Sequence, residues 1–123
     1  MESIHIVIGT FTLAALVGLY LLFCVVRRKK PKYWIALLHA LFAVAAMAFF
    51  TVYTLISQDT NITSFIIFIF VALLGIYMLY REFFSKQSKQ SELAASTVPT
   101  PLALLHALAA VSAFILLLLS QFG

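Results

Sequence analysis

Ala36-Leu37-Leu38-His39-Ala40-Leu41 and Ala103-Leu104-Leu105-His106-Ala107-Leu108 set down the same six residues twice in one chain. The match continues through Ala43, Val44 and Ala46 against Ala110, Val111 and Ala113. Strings of Ala and Leu agree by accident easily, but a histidine aligned within them is a stronger signal. A second pair of stretches corresponds as well. Ala15-Leu16-Val17-Gly18-Leu19-Tyr20-Leu21-Leu22-Phe23 aligns with Ala72-Leu73-Leu74-Gly75-Ile76-Tyr77-Met78-Leu79-Tyr80, and Phe11 aligns with Phe68 in the same register. The offset changes from 57 to 67 between the two pairs because the second basic connection is longer. The chain therefore reads as two tandem copies of one helical hairpin, about residues 4–56 and 62–119.

Composition says what kind of hairpin this is. Of 123 residues, 64% are hydrophobic and 10% charged, with a mean hydropathy of +1.11. A soluble domain carries about 25% charged residues, so a free cytosolic monomer is excluded. Four apolar stretches stand out, about 4–26, 33–56, 62–80 and 102–119, each near the roughly 20 residues that cross a bilayer. Each must be helical, because lipid offers no partner to unpaired backbone groups. The expected fold is an all-α integral membrane bundle of four transmembrane helices, up-down-up-down, forming one membrane domain over residues 1–123. Spans two and four lie on its diagonal. An even number of spans per copy makes the repeats parallel, about an axis along the membrane normal.

Charge gives the orientation. All eight Lys and Arg lie in the connections 27–32 and 81–100, while the opposite side carries only Glu2 and Asp59. The positive-inside rule places both basic connections in the cytoplasm and both termini outside, most naturally in a bacterial inner membrane. No Lys or Arg precedes the first apolar run, which disfavours a cleavable signal peptide. The net charge of +4 is used up by this arrangement and by attraction to anionic lipid, so nucleic acid is not an expected partner. Thr100-Pro101 reads as a helix cap followed by the first helical residue, and Pro31 has a similar place before span two. Tyr33 and Trp34 fall at interfacial depth. Asn61-Ile62-Thr63 matches a glycosylation sequon, read as chance this close to the membrane.

Candidate functional residues follow from the repeat. His39 and His106 lie five to seven residues inside their spans, roughly 7–10 Å below the cytoplasmic edge at 1.5 Å per residue. Tyr20 and Tyr77 reach the same depth on the other helix of each hairpin, with Gly18 and Gly75 just deeper. Ala36, Ala43 and Ala46 share a face with His39, as Ala103, Ala110 and Ala113 do with His106. Small strips of this kind let helices approach closely or leave room for a flat group. Two histidines at one depth on diagonal helices are the layout for bis-imidazole ligation of one b-type haem. The expectation is a small b-type cytochrome-like electron-transfer protein, with His39 and His106 as axial ligands. Gly18 and Gly75 would admit the macrocycle, and Tyr20 and Tyr77 would hydrogen-bond a propionate or an imidazole. The propionates would point to the basic connection at Arg27–Lys32, and a quinone or another membrane redox partner would exchange electrons with the haem.

Other readings stand beside this one. The pair can equally be a structural His–Tyr lock in a non-catalytic interaction or assembly subunit. A homodimeric small-solute or proton transporter and a lipid- or quinone-binding module are further readings. No nucleophile–base pair, phosphate loop or metalloprotease motif occurs, so no catalytic residue is expected and the chain is not read as an enzyme by itself. Cys24 is the sole cysteine, which rules out an intrachain disulfide; it is expected to be a packing residue. His5 has no counterpart under the repeat, and the twelve Phe are expected to supply outward-facing bulk.

Overall fold

The computed structural model describes residues 2–57, 62–84, 96 and 98–122. The connection 58–61, with Asp59 and the Asn61 of the sequon, lies outside the described residues, as does most of the connection before residue 96. The described residues form four helices: α1 (Glu2–Val26), α2 (Tyr33–Ser57), α3 (Ile62–Phe83) and α4 (Thr100–Phe122). Each is long and apolar enough to cross a membrane, with mean hydropathy of 2.3 to 2.6 over its most apolar window. Only 17% of each such window is buried within the bundle, so most of the apolar surface faces outward.

The helices pack in a ring. α1 lies against α2 and α3 against α4 most extensively, while α1–α4 and α2–α3 close the ring more loosely. α2 and α4 are thus diagonal, as expected. Partners run in opposite senses along each hairpin: Phe11 meets Phe50 and Gly18 meets His39, while Ser64 meets Ala113 and Gly75 meets His106.

The helix ends show where local chemistry departs from expectation. α3 runs through Arg81 and Glu82 to Phe83, three residues beyond the apolar stretch. α4 begins at Thr100, and Pro99 rather than Thr100 is its cap, since the Pro99 carbonyl accepts from Ala103 N–H at 3.1 Å. Lys32 has the same place before α2, accepting from Ala36 N–H at 3.3 Å. Lys32 and Pro99 are matched positions at an offset of 67, so both inner helices start at corresponding residues. α1 ends in a Schellman motif: Lys29 N–H donates to the Cys24 carbonyl at 2.8 Å and Arg28 N–H to Val25 at 3.0 Å. Arg28 adopts φ 56° there, a left-handed conformation costing a side-chain-bearing residue on the order of 1 kcal/mol or more.

Two packed layers hold the bundle. Near the termini, Phe11 stacks on Phe68 with centroids 4.2 Å apart and planes 10° from parallel. Phe50 meets them edge-on at 6.1 and 5.9 Å, and Phe65 and Phe114 flank the group. Ala46 and Ala113 are fully buried beside these rings, with Val7, Ser64 and Leu117. Five of the twelve Phe therefore build this layer rather than outward bulk, because aromatic edges and faces gain from packing on one another. Near the basic end, Val25, Val98 and Ala103 form a smaller cluster with Leu22 and Met78. Tyr33 packs edge-on against Phe83, centroids 4.9 Å apart, and Lys30 lies 5.4 Å from the same ring.

Phe50 is 1% exposed and packs edge-on against Phe11 of α1 and against Phe65 and Phe68 of α3. Phe50→Ala is expected to destabilise the bundle by about 3–5 kcal/mol, read as a lowered thermal midpoint of the detergent-solubilised protein. Phe49→Ala, at an exposed neighbouring position, should leave the midpoint nearly unchanged.

Candidate functional site

Between the two packed layers lies a belt in which no residue is buried. It spans the residues between Ala14 and Cys24 on α1, Ala36 and Ala46 on α2, Val71 and Glu82 on α3, and Ala103 and Ala113 on α4. At 1.5 Å rise per residue the belt is about 15 Å tall. His39, His106, Gly18 and Gly75 all sit in it. Ala36, Ala46, Ala103 and Ala113 close it as buried rungs at either end, and Ala43 and Ala110 are half-buried within it. Small side chains thus line the inner faces of α2 and α4 at the level of the two histidines.

The two imidazoles face each other across the diagonal. Their ring centroids are 6.4 Å apart and their planes 73° from parallel. Each ring also lies against the glycine of its own hairpin. A Cβ built on Gly18 would stand 2.9 Å from His39 Cε1, and one on Gly75 would stand 3.2 Å from His106 Cε1. The glycines thus make notches in α1 and α3 that the imidazoles themselves occupy, rather than gaps held open for a macrocycle.

The notch brings each ring to a backbone carbonyl one turn earlier. His39 Nδ1–H donates to the Ala14 carbonyl at 2.8 Å. His106 Nδ1 is turned toward Val71, the position matched to Ala14, but its contact falls short of a full hydrogen bond and the atom is buried. With the proton of His39 committed at Nδ1, its Nε2 carries the lone pair. Among the described residues, no group hydrogen-bonds the Nε2 of either ring. A backbone acceptor on Nδ1 is also how a protein orients a metal-ligating imidazole and raises its basicity.

Tyr20 and Tyr77 do not join the site. They are 47% and 48% exposed on the outer surface. Each follows its glycine by two residues, a rotation of about 200° on a helix, so a glycine facing the histidine turns its tyrosine away. Tyr77 OH accepts from Arg81 Nη1 at 3.2 Å, and Tyr20 lies beside Cys24 one turn on. Cys24 is a buried free thiol in α1, and His5 is exposed near the start of that helix. Among the described residues, no three His, Cys, Asp or Glu side chains cluster closely enough to hold a metal ion. The donor set is two imidazoles, which suits a group that brings its own remaining ligands and does not suit a bare ion seeking four.

The Ala14 and Val71 carbonyls went unrecognised from sequence. Their signal is the i, i+4 relation to Gly18 and Gly75, since a notch exposes the carbonyl one turn before it. Comparison with protein-family models, curated proteins and solved structures gives no match.

The notches respond unequally to filling. Gly→Ala within a helix gains up to about 1 kcal/mol of propensity, whereas displacing a packed side chain costs about 1–3 kcal/mol. Gly18→Ala must push aside a ring anchored on Ala14 and is expected to lower the thermal midpoint. Gly75→Ala meets a ring with no full hydrogen bond and more clearance, and its midpoint should stay within a degree or two of wild type on the same size scaling.

Proposed function

We propose that this chain is an integral membrane protein built from two duplicated hairpins, with both termini outside and its basic connections in the cytoplasm. It holds one low-spin b-type haem between His39 and His106. Its task is electron transfer, with a quinol or another membrane redox protein as donor or acceptor. One observation carries the reading: two imidazoles on different hairpins, centroids 6.4 Å apart, beside alanines of α2 and α4. Two imidazoles on opposite sides of one metal stand about 6 Å apart, from metal–nitrogen bonds of about 2 Å and ring radii of about 1 Å.

Outward apolar surface supports the membrane placement, and the one-sided distribution of Lys and Arg supports the orientation. Matched burial at Ala36/Ala103, Ala46/Ala113 and Phe11/Phe68 supports the duplication.

A second reading has its own observation. The hydrogen bond from His39 to Ala14 pins α2 to α1, so the histidines of an assembly subunit would serve as a packing lock worth about 1–2 kcal/mol each.

The deciding experiment is a reduced-minus-oxidised absorption spectrum of protein purified in detergent from haem-replete cells. Haem ligation predicts a sharpened, shifted Soret band with resolved α and β bands, abolished by either His39→Ala or His106→Ala. A flat visible spectrum from folded, monodisperse protein overturns the haem reading and leaves the packing lock, for which the same variants lower only the thermal midpoint.

A further inference from the structure

An open groove of about 340 Å³ runs down the first hairpin, between α1 and α2. Leu16, Val17 and Tyr20 line it from α1, and Trp34, Ile35 and Leu38 from α2. Val17, Ile35 and Leu38 are half-buried, while Leu16, Tyr20 and Trp34 stand exposed beside them. We infer that this groove binds one anionic phospholipid, with an acyl chain between the two helices and the phosphate on Arg27, Lys29 and Lys32. The inference rests on the membrane placement and is independent of the haem.

The charge lies where a headgroup needs it. Leu16, Tyr20, Phe23 and Arg27 follow one another at i, i+4, i+7 and i+11, so they share one face of α1. Arg27 N–H still donates to the Phe23 carbonyl at 3.0 Å, which carries that face one residue past the helix. Its guanidinium stands 5.1 Å from the centre of the Phe23 ring. The face that lines the groove thus ends in a cation. On the other wall, Lys32 precedes Trp34 by two residues and Leu38 by six, which sets Leu38 about 9 Å deeper. Tyr20 and Trp34 supply amphipathic rings at the depth where chains meet headgroups. An apolar slot under a cationic rim matches an acyl chain under an anionic headgroup.

The cations of the turn are divided among different surfaces. Five of the eight Lys and Arg lie in 27–32. Arg28 lines a separate cavity toward the start of α4, and Lys30 lies over the Phe83 ring of α3. Arg27, Lys29 and Lys32 are exposed, and among the described residues none of the three pairs with a carboxylate. Orientation alone requires cations on this side of the membrane and places no demand on the face that carries them.

The duplication offers the same helix faces without the rim. Phe84 stands at the position matched to Arg27, and Pro101 at the position matched to Trp34. Arg81 of that hairpin is engaged at the Tyr77 hydroxyl. The combination of cation, aromatic wall and apolar slot belongs to the first hairpin.

Trp34 is the sole tryptophan of the chain and lines the groove, so its fluorescence reports the occupant. The protein is reconstituted in phosphatidylcholine vesicles that hold a small fraction of phosphatidylglycerol or of phosphatidylcholine brominated in its acyl chains. Quenching is read against unbrominated vesicles of the same composition, which cancels any fixed quenching within the protein. Brominated phosphatidylglycerol is expected to reach half-quenching at about fivefold lower mole fraction than brominated phosphatidylcholine, the effect of one cation at a headgroup. In Arg27→Gln/Lys29→Gln/Lys32→Gln the two lipids should quench alike. Trp34→Phe/Tyr80→Trp moves the reporter to the exposed position matched to Phe23 on the second hairpin, where no preference is expected. Equal quenching of wild type by the two lipids overturns the inference and needs no variant. A preference that survives the triple variant also overturns it. So does an equal preference at position 80, which reduces the effect to general attraction of anionic lipid to the basic side. Quenching by neither lipid puts Trp34 outside the bilayer; the membrane placement then fails and this inference fails with it.

Discussion

The arrangement of this bundle depends on an imidazole lying in a glycine notch. His39 could not approach α1 as it does if Gly18 carried a side chain, and without that approach its Nδ1 would not reach the Ala14 carbonyl. The contact fixes three things together. It sets the spacing of α1 and α2 at mid-height, it selects the tautomer of the ring, and it aims the remaining nitrogen away from α1. The second hairpin repeats the notch at Gly75 and the approach of His106 toward Val71. Once both rings are so placed on diagonal helices, they meet near the bundle axis. Bulky side chains cannot share that level, which is why the inner faces of α2 and α4 are alanine there and the packed layers lie above and below.

Much of this is legible in the sequence because it rests on period and composition. Apolar length marks four helices, and connection lengths and the ring order put α2 opposite α4. The repeat singles out His39, His106, Gly18 and Gly75, and the structure brings those four together. Matched depth in the sequence sets Tyr20 and Tyr77 beside the histidines, but depth carries no rotation, and both rings are exposed. Tyr20 shares a level with His39, but a helix turns about 200° between Gly18 and Tyr20, and only one of the two can face inward. The same arithmetic places Phe11 inward, seven residues before Gly18. The Phe layer was hidden for a different reason. In a chain this apolar, composition does not tell an inward ring from an outward one, and only partners such as Phe50 and Phe68 on other helices decide it. Thr-Pro is a common start signal and points to Thr100 as the cap of α4. The Pro99 carbonyl provides the first acceptor instead, as Lys32 does for α2.

The two hairpins match in the belt and diverge at its ends. Val7 corresponds to Ser64, whose hydroxyl donates to the Ala113 carbonyl at 2.6 Å. Cys24 corresponds to Arg81, Val25 to Glu82 and Phe50 to Leu117. The apolar member of the first three pairs lies in the first hairpin. The second hairpin therefore brings hydrogen-bonding groups to both ends of the bundle, where Ser64 ties α3 to α4 and Glu82 ties α3 to Ser96. These bonds help hold together a hairpin whose histidine lacks the full bond that His39 makes. The nonequivalence of the two imidazoles is thus offset by contacts elsewhere in the same half.

That asymmetry bears on what the site can do. A ring anchored through Nδ1 is oriented before anything binds, so a ligand at its Nε2 meets little ordering cost. His106 has a buried Nδ1 without such an anchor, and its orientation is settled by Gly75, by the facing ring and by whatever occupies the belt. A group bound between them would draw its fixed reference from the first hairpin and would itself complete the order of the second. Under the haem reading, binding would then also order the second imidazole, because the bound group would supply the contact that His106 Nδ1 lacks.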